Sequence, residues 1–267
     1  MKLSMMSYSV ARQGDFSLSK LFGMMHELDL QYLDMVTLYH DTATEVRRRA
    51  DAEGIRIAAY TDFAGLDADT DTERQKGIDQ VKRQVETAVI LGAPVLMLPP
   101  ISRPGIIASV ARRNWIEGLA RSVDFATAAG VTLTVESFPV AESPFIGRSD
   151  FSELLSAVPD MKITFDDGNV WSGDDPVQFV KAFADAIVHV HFKNWEQCDL
   201  HDPAVRKFRD GRHCRPGLIG KGLLDERPVI AALRQIGYQG CINIEYEGEI
   251  PIASVMQWAV DYLRPLL

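Results

Sequence analysis

The sequence predicts an α/β protein, a single (β/α)₈ TIM barrel, on three observations. Short β-rich runs alternate with longer stretches of helical period from one end of the chain to the other. Strands that alternate with helices indicate a parallel sheet with right-handed crossovers. Eight such runs occur, and dividing the 267 residues by eight leaves about 33 per unit, which suits one strand, one helix and short loops. We therefore expect one barrel domain over residues 1–267.

Each strand is expected where β-branched and aromatic residues gather in a short run.

An open, doubly wound sheet is the alternative, but its first strand should be followed by a Gly-rich turn. The chain reads SYSVARQGDF at that point, so we favour the closed barrel. The predicted strands are Lys2–Ser9, Tyr32–Tyr39, Ile55–Tyr60, Pro94–Leu98, Val131–Ser137, Lys162–Asp166, Ile187–Phe192 and Gly240–Tyr246.

Helices are expected where apolar residues recur at three- and four-residue steps between the strands. Several end at a glycine, the residue that most readily stops a helix: Gly54, Gly92, Gly130 and Gly237. The predicted helices are Thr44–Glu53, Glu73–Leu91, Arg113–Ala129, Asp150–Ala157, Pro176–Ala184, Glu226–Ile236 and Ile252–Leu263. A long loop at about 194–225 interrupts this rhythm, and in a barrel such a loop lies on the catalytic face.

Composition and charge narrow the class of partner. The formal net charge of −9 argues against binding nucleic acid or an anionic membrane, because both require a positive surface. No apolar run approaches the roughly 18–20 residues of a membrane span, and the N-terminus lacks the pattern of a signal peptide. Three cysteines suit reduced thiols better than paired disulfides. We expect a cytoplasmic protein without nucleic-acid or membrane partners. Whether the chain forms a homo-oligomer is left open.

Strand alternation selects the side chains that point into the barrel, because residues two apart share a face. In Lys162–Asp166, Ile163 and Phe165 take the outer face, which points Asp166 inward rather than Asp167. The same alternation applies to the other three strands of the C-terminal half. The inward ionisable residues of these four strands are Glu136, Asp166, His189, His191 and Glu245.

Ionisable groups clustered at one end of a barrel require compensation, since carboxylates repel one another and lose hydration on burial. A divalent cation supplies it. One imidazole and three carboxylates form a mostly oxygen-donor set, which suits Mn²⁺, Mg²⁺ or Co²⁺. We expect one such ion, Mn²⁺ in the first place, with Mg²⁺, Co²⁺ and Zn²⁺ as alternatives. A polar network in which a carboxylate satisfies a buried histidine is the other interpretation.

Five stretches of the C-terminal half carry recognisable motifs: TLTVESF (132–138), ITFDDGNVW (163–171), HVHFKN (189–194), GLIGKGLLD (217–225) and ALRQIGYQGCINIEYEG (232–248). In these the chain resembles the xylose-isomerase-like TIM-barrel superfamily of sugar (phosphate) isomerases and epimerases. The resemblance implies four metal ligands, of which Glu136 and Glu245 also transfer protons and are the catalytic residues. The implied ligands are Glu136, Asp166, His191 and Glu245.

The resemblance also implies a reaction. Removing a proton from a carbon next to a carbonyl leaves an enediolate, whose charge a metal ion stabilises as a Lewis acid. Returning the proton to the neighbouring carbon isomerises the sugar, and returning it to the opposite face epimerises it. Two opposed glutamates suit the second outcome. We therefore expect a divalent-metal-dependent sugar or sugar-phosphate isomerase or epimerase with a small-molecule carbohydrate as substrate.

Four further residues are candidate substrate contacts. Lys193 could bind an anionic group of the substrate or stabilise an oxyanion, unless it is a solvated lysine. Many relatives carry a histidine where this chain has Asn169, whose amide can still bond a hydroxyl. Trp195, with Phe138 and Phe145, could form an apolar wall against a sugar ring or a lid, although ordinary packing is the alternative. We expect His189 to lie in the barrel interior beside the ligands rather than to be a fifth ligand itself.

Three other functions remain as alternatives. A metal-dependent dehydratase of the 3-dehydroshikimate or inosose type fits the motifs, but such lyases often place a His close behind the first glutamate, where Ser137 and Phe138 stand here. An abasic-site endonuclease would need a His-rich cluster and a basic groove, whereas the chain has six His and an acidic balance. A non-catalytic sugar-binding barrel is the third alternative.

Overall fold

Parallel strands close into an eight-stranded barrel in the computed structural model, which describes residues 1–140 and 142–267. Each barrel strand pairs with the next barrel strand along the chain. The last barrel strand pairs with the first, with Leu3 opposite Ile242. The predicted (β/α)₈ fold is confirmed. The barrel strands are β1 Lys2–Met6, β2 Tyr32–Val36, β3 Arg56–Thr61, β4 Val95–Leu98, β5 Thr132–Glu136, β6 Lys162–Asp166, β7 Ile187–Phe192 and β11 Cys241–Ile244.

Helices between the strands cover the outside of the barrel. No helix within the described ranges is long and apolar enough to span a membrane. The helices are α1 Ser7–Ala11, α2 Leu18–Glu27, α3 Ala43–Ala52, α4 Asp71–Leu91, α5 Ala108–Ala120, α6 Val123–Ala128, α7 Arg148–Ala157, α8 Asp167–Trp171, α9 Pro176–Ala182, α10 Glu226–Gln235, α11 Ile252–Leu263 and a final 3₁₀ turn, Arg264–Leu266.

The hydrophobic core lies between the strands and the helices. Val135, Phe165 and Val190, all assigned to the outer face by alternation, are buried in it. The glycines expected to stop helices have left-handed φ angles; Gly92, for example, ends α4 at φ +68°. Residues with a Cβ rarely adopt this conformation, which is why glycine marks these helix ends in the sequence.

The first two strands are shorter than predicted, because the backbone leaves the extended conformation before their predicted ends. β1 stops at Met6, and the next residues form α1, in which Ser7 Oγ accepts a hydrogen bond from the backbone N–H of Val36 at 2.8 Å. β2 stops at Val36, and Thr37 and Tyr39 follow with φ angles of 53° and 52°. An extended strand cannot continue through such angles.

The predicted helix Arg113–Ala129 is wrong as one element. The structure has two helices, α5 and α6, and the first begins five residues earlier, at Ala108. The break falls near Ser122, whose Oγ donates to the carbonyl oxygen of Gly118 at 2.8 Å. A serine that bonds the preceding turn competes with the helix ladder and favours such a break.

The segment 194–225, expected as a loop, contains a small antiparallel sheet of β8 Asn194–Gln197, β9 Arg206–Lys207 and β10 His213–Gly217, in the order β8-β10-β9. It begins directly after the C-terminal end of β7. Trp195, Phe208 and Cys214 form its own small core. Arg209 connects it to the barrel by donating to Asp150 Oδ2 at 3.1 Å. This inserted sheet therefore packs against the barrel and does not extend away from it.

Candidate metal and active site

Four ionisable side chains meet at the C-terminal ends of adjacent barrel strands. Potential ligand atoms of all four lie within 4.8 Å of one another, and all four residues are buried. They come from the end of β5, the end of β6, β7, and the position just after β11. They are four of the five residues that strand alternation selected, and they are the set that the resemblance implied: Glu136, Asp166, His191 and Glu245.

The two glutamates approach the same nitrogen of one imidazole. Nδ1 of His191 is 3.4 Å from Oε2 of Glu136 and 3.5 Å from Oε2 of Glu245. Both glutamates also line the same cavity at the mouth of the barrel. Two carboxylates thus approach the same ring nitrogen and border one small space.

Local structure explains how Asp166 is oriented. Its Oδ1 accepts a hydrogen bond from the backbone N–H of Asn169 at 2.7 Å, so it caps the N-terminus of α8. Capping uses one carboxylate oxygen and leaves Oδ2 directed at the cluster. The register places Asp166 opposite His191 on the neighbouring strand. A short strand-to-helix turn therefore fixes the aspartate beside the histidine.

The cluster fits a divalent cation. Over the described part of the chain, one buried atom of each residue lacks a hydrogen-bond partner: Glu136 Oε2, Asp166 Oδ2, His191 Nδ1 and Glu245 Oε2. Buried polar atoms without partners are unfavourable unless something binds them. Three carboxylate oxygens and one imidazole nitrogen are ligands typical of Mn²⁺, Mg²⁺, Co²⁺ and Zn²⁺. These four residues could hold such an ion.

Lys193 is buried against the same cluster. Its Nζ donates to Glu245 Oε1 at 2.6 Å and to Glu247 Oε1 at 3.0 Å, and it lies 3.6 Å from Asp166 Oδ2. Its backbone N–H donates to Asp167 Oδ1 at 3.0 Å. The lysine is therefore not a solvated surface residue, since it compensates the carboxylates around it.

Gly168 leaves the room that Lys193 needs to occupy this position. A Cβ on Gly168 would lie 2.6 Å from Lys193 Cγ and 2.7 Å from the Lys193 carbonyl oxygen. Atoms at such distances overlap, so a side chain there would displace the lysine backbone. The glycine of the DDGN motif thus allows α8 and the end of β7 to approach closely.

The two glutamates have different electrostatic environments. Burial raises the pKa of Glu136, against the opposing effect of His191. Burial would also raise the pKa of Glu245, but the ammonium of Lys193 and the imidazole of His191 hold it below its usual range. Asp166 behaves like Glu136, because burial raises its pKa to about 8 despite Lys193. The asymmetry arises because Lys193 contacts Glu245 directly.

The cavity beside the glutamates has a volume of about 140 Å³ and opens at the mouth of the barrel. Its acidic wall consists of Glu136, Glu245 and Glu247. The remaining wall is mostly apolar and includes Phe138, which the sequence suggested as part of an apolar wall. The other lining residues are Met6, Tyr8, Val36, Thr61, Phe63, Met97, Pro99 and Ile101.

Asn169, a predicted substrate contact, is buried near the cluster. Its Nδ2 donates to the carbonyl oxygen of Ser137 at 2.9 Å, which fixes the orientation of the amide. Its Oδ1 has no hydrogen-bond partner among the described residues. An amide oxygen held in this way can accept a hydrogen bond from a hydroxyl group.

His189 and Trp195, also predicted to contact substrate, are not among the residues that line the cavity, and neither are Lys193 and Asn169. Nε2 of His189 contacts Oδ2 of Asp34 in the barrel interior. The indole N–H of Trp195 donates to the carbonyl oxygen of Gly168 at 2.8 Å, and its ring packs edge-on against Phe208. Contact of either residue with a substrate stays a prediction, and their observed contacts are structural.

Sequence reasoning missed three carboxylates near the site. Asp34 on β2 contacts His189 and His191, Asp167 binds the backbone of Lys193, and Glu247 pairs with its ammonium. A usable signal for Asp34 was available: it is the one residue of the run YLDMV that is charged at neutral pH. Applying strand alternation to β2 would have placed it inside the barrel.

Comparisons with known proteins agree with this architecture. Residues 20–266 match the family described as xylose isomerase-like TIM barrel. An inosose dehydratase of Lacticaseibacillus casei is 30% identical over 107 residues, and the match covers 38% of this chain and 35% of that protein. The chain thus spans about a third of the length of this curated relative.

Two solved structures have the same fold. A D-psicose 3-epimerase, determined in the presence of D-fructose, superposes with a TM-score of 0.79 at 16% identity, covering 100% of this chain and 99% of that one. The IolI protein, determined with a bound zinc atom, gives 0.78 at 15% identity, covering 100% and 96%. At these identities the likeness shows the fold alone. Because the family match extends over almost the whole sequence, the chain belongs to the xylose isomerase-like TIM-barrel family.

Proposed function

We propose that this chain is a divalent-metal-dependent isomerase or epimerase of a small carbohydrate, working by proton transfer at a carbon next to a carbonyl. The observation that carries the proposal is the pair Glu136 and Glu245, which approach one imidazole nitrogen and line one cavity. Their Oε2 atoms lie 3.4 and 3.5 Å from His191 Nδ1, and both side chains line one cavity. Two carboxylates at one small space suit removal of a proton by one of them and its return by the other.

The cation would be held by Glu136, Asp166, His191 and Glu245, and Mn²⁺ is the ion we expect. When bound, it supplies Lewis acidity to the substrate carbonyl and stabilises the charge that develops on that oxygen. Zn²⁺ is a credible alternative, given the zinc atom bound to IolI. The donor set itself accommodates either ion.

The remaining side chains position the substrate and the glutamates. Lys193 orients Glu245 through the 2.6 Å contact and balances its charge. Asn169 Oδ1 accepts a hydrogen bond from a substrate hydroxyl in this scheme, since its Nδ2 is already bonded to Ser137. The apolar wall around Phe138 excludes water from the cavity and packs against a ring or carbon-chain face of the substrate.

Solvent exchange tests this proposal. Metal-loaded protein is incubated in heavy water with ketoses, their phosphates and cyclic polyol ketones, and carbon-bound deuterium is measured by NMR. We expect deuterium at the carbon next to the carbonyl and no other change in the mass of the sugar. Exchange should be abolished in Glu136→Gln and in Glu245→Gln. Glu249→Gln is the matched control, because this glutamate is close in sequence but its side chain is 90% exposed. Near-normal exchange in either site variant would refute the assignment.

A dehydratase is the second candidate, because inosose dehydratases are among the curated relatives. Elimination of water begins with the same proton removal next to a ketone, so the same glutamates would serve. The Lys193 ammonium, 2.6 Å from Glu245, is a candidate acid for the departing hydroxyl. The same panel separates the two reactions: a dehydratase gives a product lighter by one water, whereas an isomerase or epimerase conserves mass.

A further inference from the structure

Asp34 lies directly beneath the four-residue cluster. It is the central residue of β2 and is fully buried. Its Oδ2 contacts Nε2 of His189 and lies 3.1 Å from Nε2 of His191. One carboxylate oxygen on the far side of the barrel interior thus serves two histidines of β7.

We propose that Asp34 is a positioning residue that holds His191 with Nδ1 directed at the carboxylate cluster. An imidazole that donates its Nε2–H to a carboxylate carries its lone pair on Nδ1. Nδ1 of His191 is the atom that faces Glu136 and Glu245 and has no hydrogen-bond partner in the described structure. Carboxylates that orient a metal-binding imidazole through its other nitrogen are a general feature of metal sites.

His189 stabilises this arrangement. Its ring lies edge-on to that of His191 at 5.2 Å between centroids, and its Nε2 shares the same Asp34 oxygen. With both histidines bound to it, Asp34 cannot rotate away without losing two contacts. This gives His189 a role in the barrel interior that does not require contact with a substrate.

Two irregularities of the barrel occur at these residues. The β2–β3 register passes from Leu33 opposite Ile57 to Asp34 opposite Ala59, which skips one residue of β3. The β6–β7 register passes from Ile163 opposite Ile187 to Thr164 opposite His189, which skips one residue of β7. Such bulges redirect the side chains next to them. Asp34 and His189, which are in contact in the barrel interior, are each next to one of these bulges.

A second cation held by Asp34, His189 and His191 is the competing interpretation, because ligand atoms of these three residues also lie within 4.8 Å of one another. His191 would then bridge two ions through its two nitrogens. The 3.1 Å contact between His191 and Asp34 is a hydrogen-bond distance, which a shared proton satisfies without an ion. We therefore assign hydrogen bonds and expect one cation per chain.

The experiment compares Asp34→Ala and Asp34→Asn with Thr134→Val. Thr134 is a matched control: it is buried in the barrel interior and its Oγ1 pairs with Thr164 at 2.8 Å. Histidine tautomers are read by long-range ¹H–¹⁵N NMR on metal-free protein, with His191→Asn used to assign the signals. The pH is set high enough for the imidazoles to be neutral, because burial lowers the pKa of His191 but the carboxylates of Asp34, Glu136 and Glu245 outweigh it and raise the pKa well above its usual value. Mn²⁺ affinity and stoichiometry are measured by titration calorimetry, and a thermal melt confirms folding of each variant.

In the wild type we expect His191 as the Nε2–H tautomer and one Mn²⁺ per chain. Asp34→Ala should mix the tautomers and weaken Mn²⁺ binding by about 10- to 100-fold. Asp34→Asn, which retains an acceptor oxygen, should lose less Mn²⁺ affinity. Thr134→Val should have the Mn²⁺ affinity and the His191 tautomer of the wild type. If Asp34→Ala does not fold, Asp34→Asn alone decides, with a smaller loss of affinity and a shifted tautomer equilibrium expected.

Two results would overturn the assignment: two Mn²⁺ per wild-type chain, or wild-type tautomer and affinity in the Asp34 variants. The inference rests on the proposed function only for its cation. If the wild type binds no divalent cation, the proposed function fails, but the tautomer of His191 in the metal-free protein still tests the position of Asp34. The two failures are therefore distinguishable.

Discussion

Lys193 and Glu245 form a buried ion pair at the mouth of the barrel, with Nζ 2.6 Å from Oε1. The lysine follows β7 and the glutamate follows β11, on adjacent strands. Removing one partner of a buried pair leaves the other charge uncompensated, which is strongly destabilising.

We expect Lys193→Met to lower the free energy of unfolding of the metal-free protein by about 3 kcal/mol. Added Mn²⁺ should then raise the melting temperature of the variant more than that of the wild type, because the cation replaces a lost positive charge. Scanning calorimetry with and without Mn²⁺ measures both effects. A metal-free variant as stable as the wild type would show that the lysine does not compensate the carboxylates.

Gly168→Ala should destabilise the protein by about 1–3 kcal/mol, since the new Cβ would overlap Lys193 Cγ and its carbonyl oxygen. Gly23→Ala is the control: this glycine is exposed in α2, and a Cβ there would meet nothing within 4 Å. Alanine in an exposed helix should stabilise by up to about 1 kcal/mol. Urea unfolding measures both variants, and equal effects of the same sign would contradict the crowding argument.

Removal of the cation should lower the melting temperature. A ligand at 100 times its dissociation constant stabilises the folded state by about 2.7 kcal/mol, which in a protein of this size corresponds to roughly 5–10 °C. We expect chelation to lower the melting temperature by this amount and Mn²⁺ to restore it. In His191→Ala, which lacks one of the four ligands, Mn²⁺ should produce little or no shift; an undiminished shift would place the cation elsewhere.

Asp150 connects three parts of the chain. Its carboxylate accepts hydrogen bonds from Arg112 at 2.8 Å, Arg209 at 3.1 Å and the backbone N–H of Ile146 at 3.0 Å. Asp150→Ala should therefore lower the free energy of unfolding by about 3 kcal/mol. Exposed Asp160, mutated to Ala, should change it by less than about 0.5 kcal/mol. Urea denaturation compares the two, and similar midpoints would show that Asp150 contributes little.

Much of the fold and of the candidate site could be predicted because both depend on local pattern. Alternation along a strand is a two-residue property, so Asp166 could be separated from Asp167 with no knowledge of the neighbouring strands. Helix ends were visible where a glycine has a left-handed φ, as at Gly92. Parallel strands then place their C-terminal ends together, which unites residues as far apart as Glu136 and Glu245.

The features that were missed depend on contacts between distant segments. Asp34 contacts residues 155 and 157 positions away, and no local pattern specifies that pairing. The inserted sheet in 194–225 has short strands with arginine, proline and glycine, as in His213–Gly217, which carry little strand signal. Its pairing comes from the tertiary environment, including the contact of Arg209 with Asp150.

The most direct test of the account is the position of the cation. Crystals of the protein grown with Mn²⁺ should give one anomalous peak per chain, about 2.0–2.3 Å from the ligand atoms of the cluster. We expect contacts to Glu136, Asp166, His191 and Glu245, the residues whose buried atoms lack partners among those described. A peak at other residues, or none at saturating Mn²⁺, would contradict it.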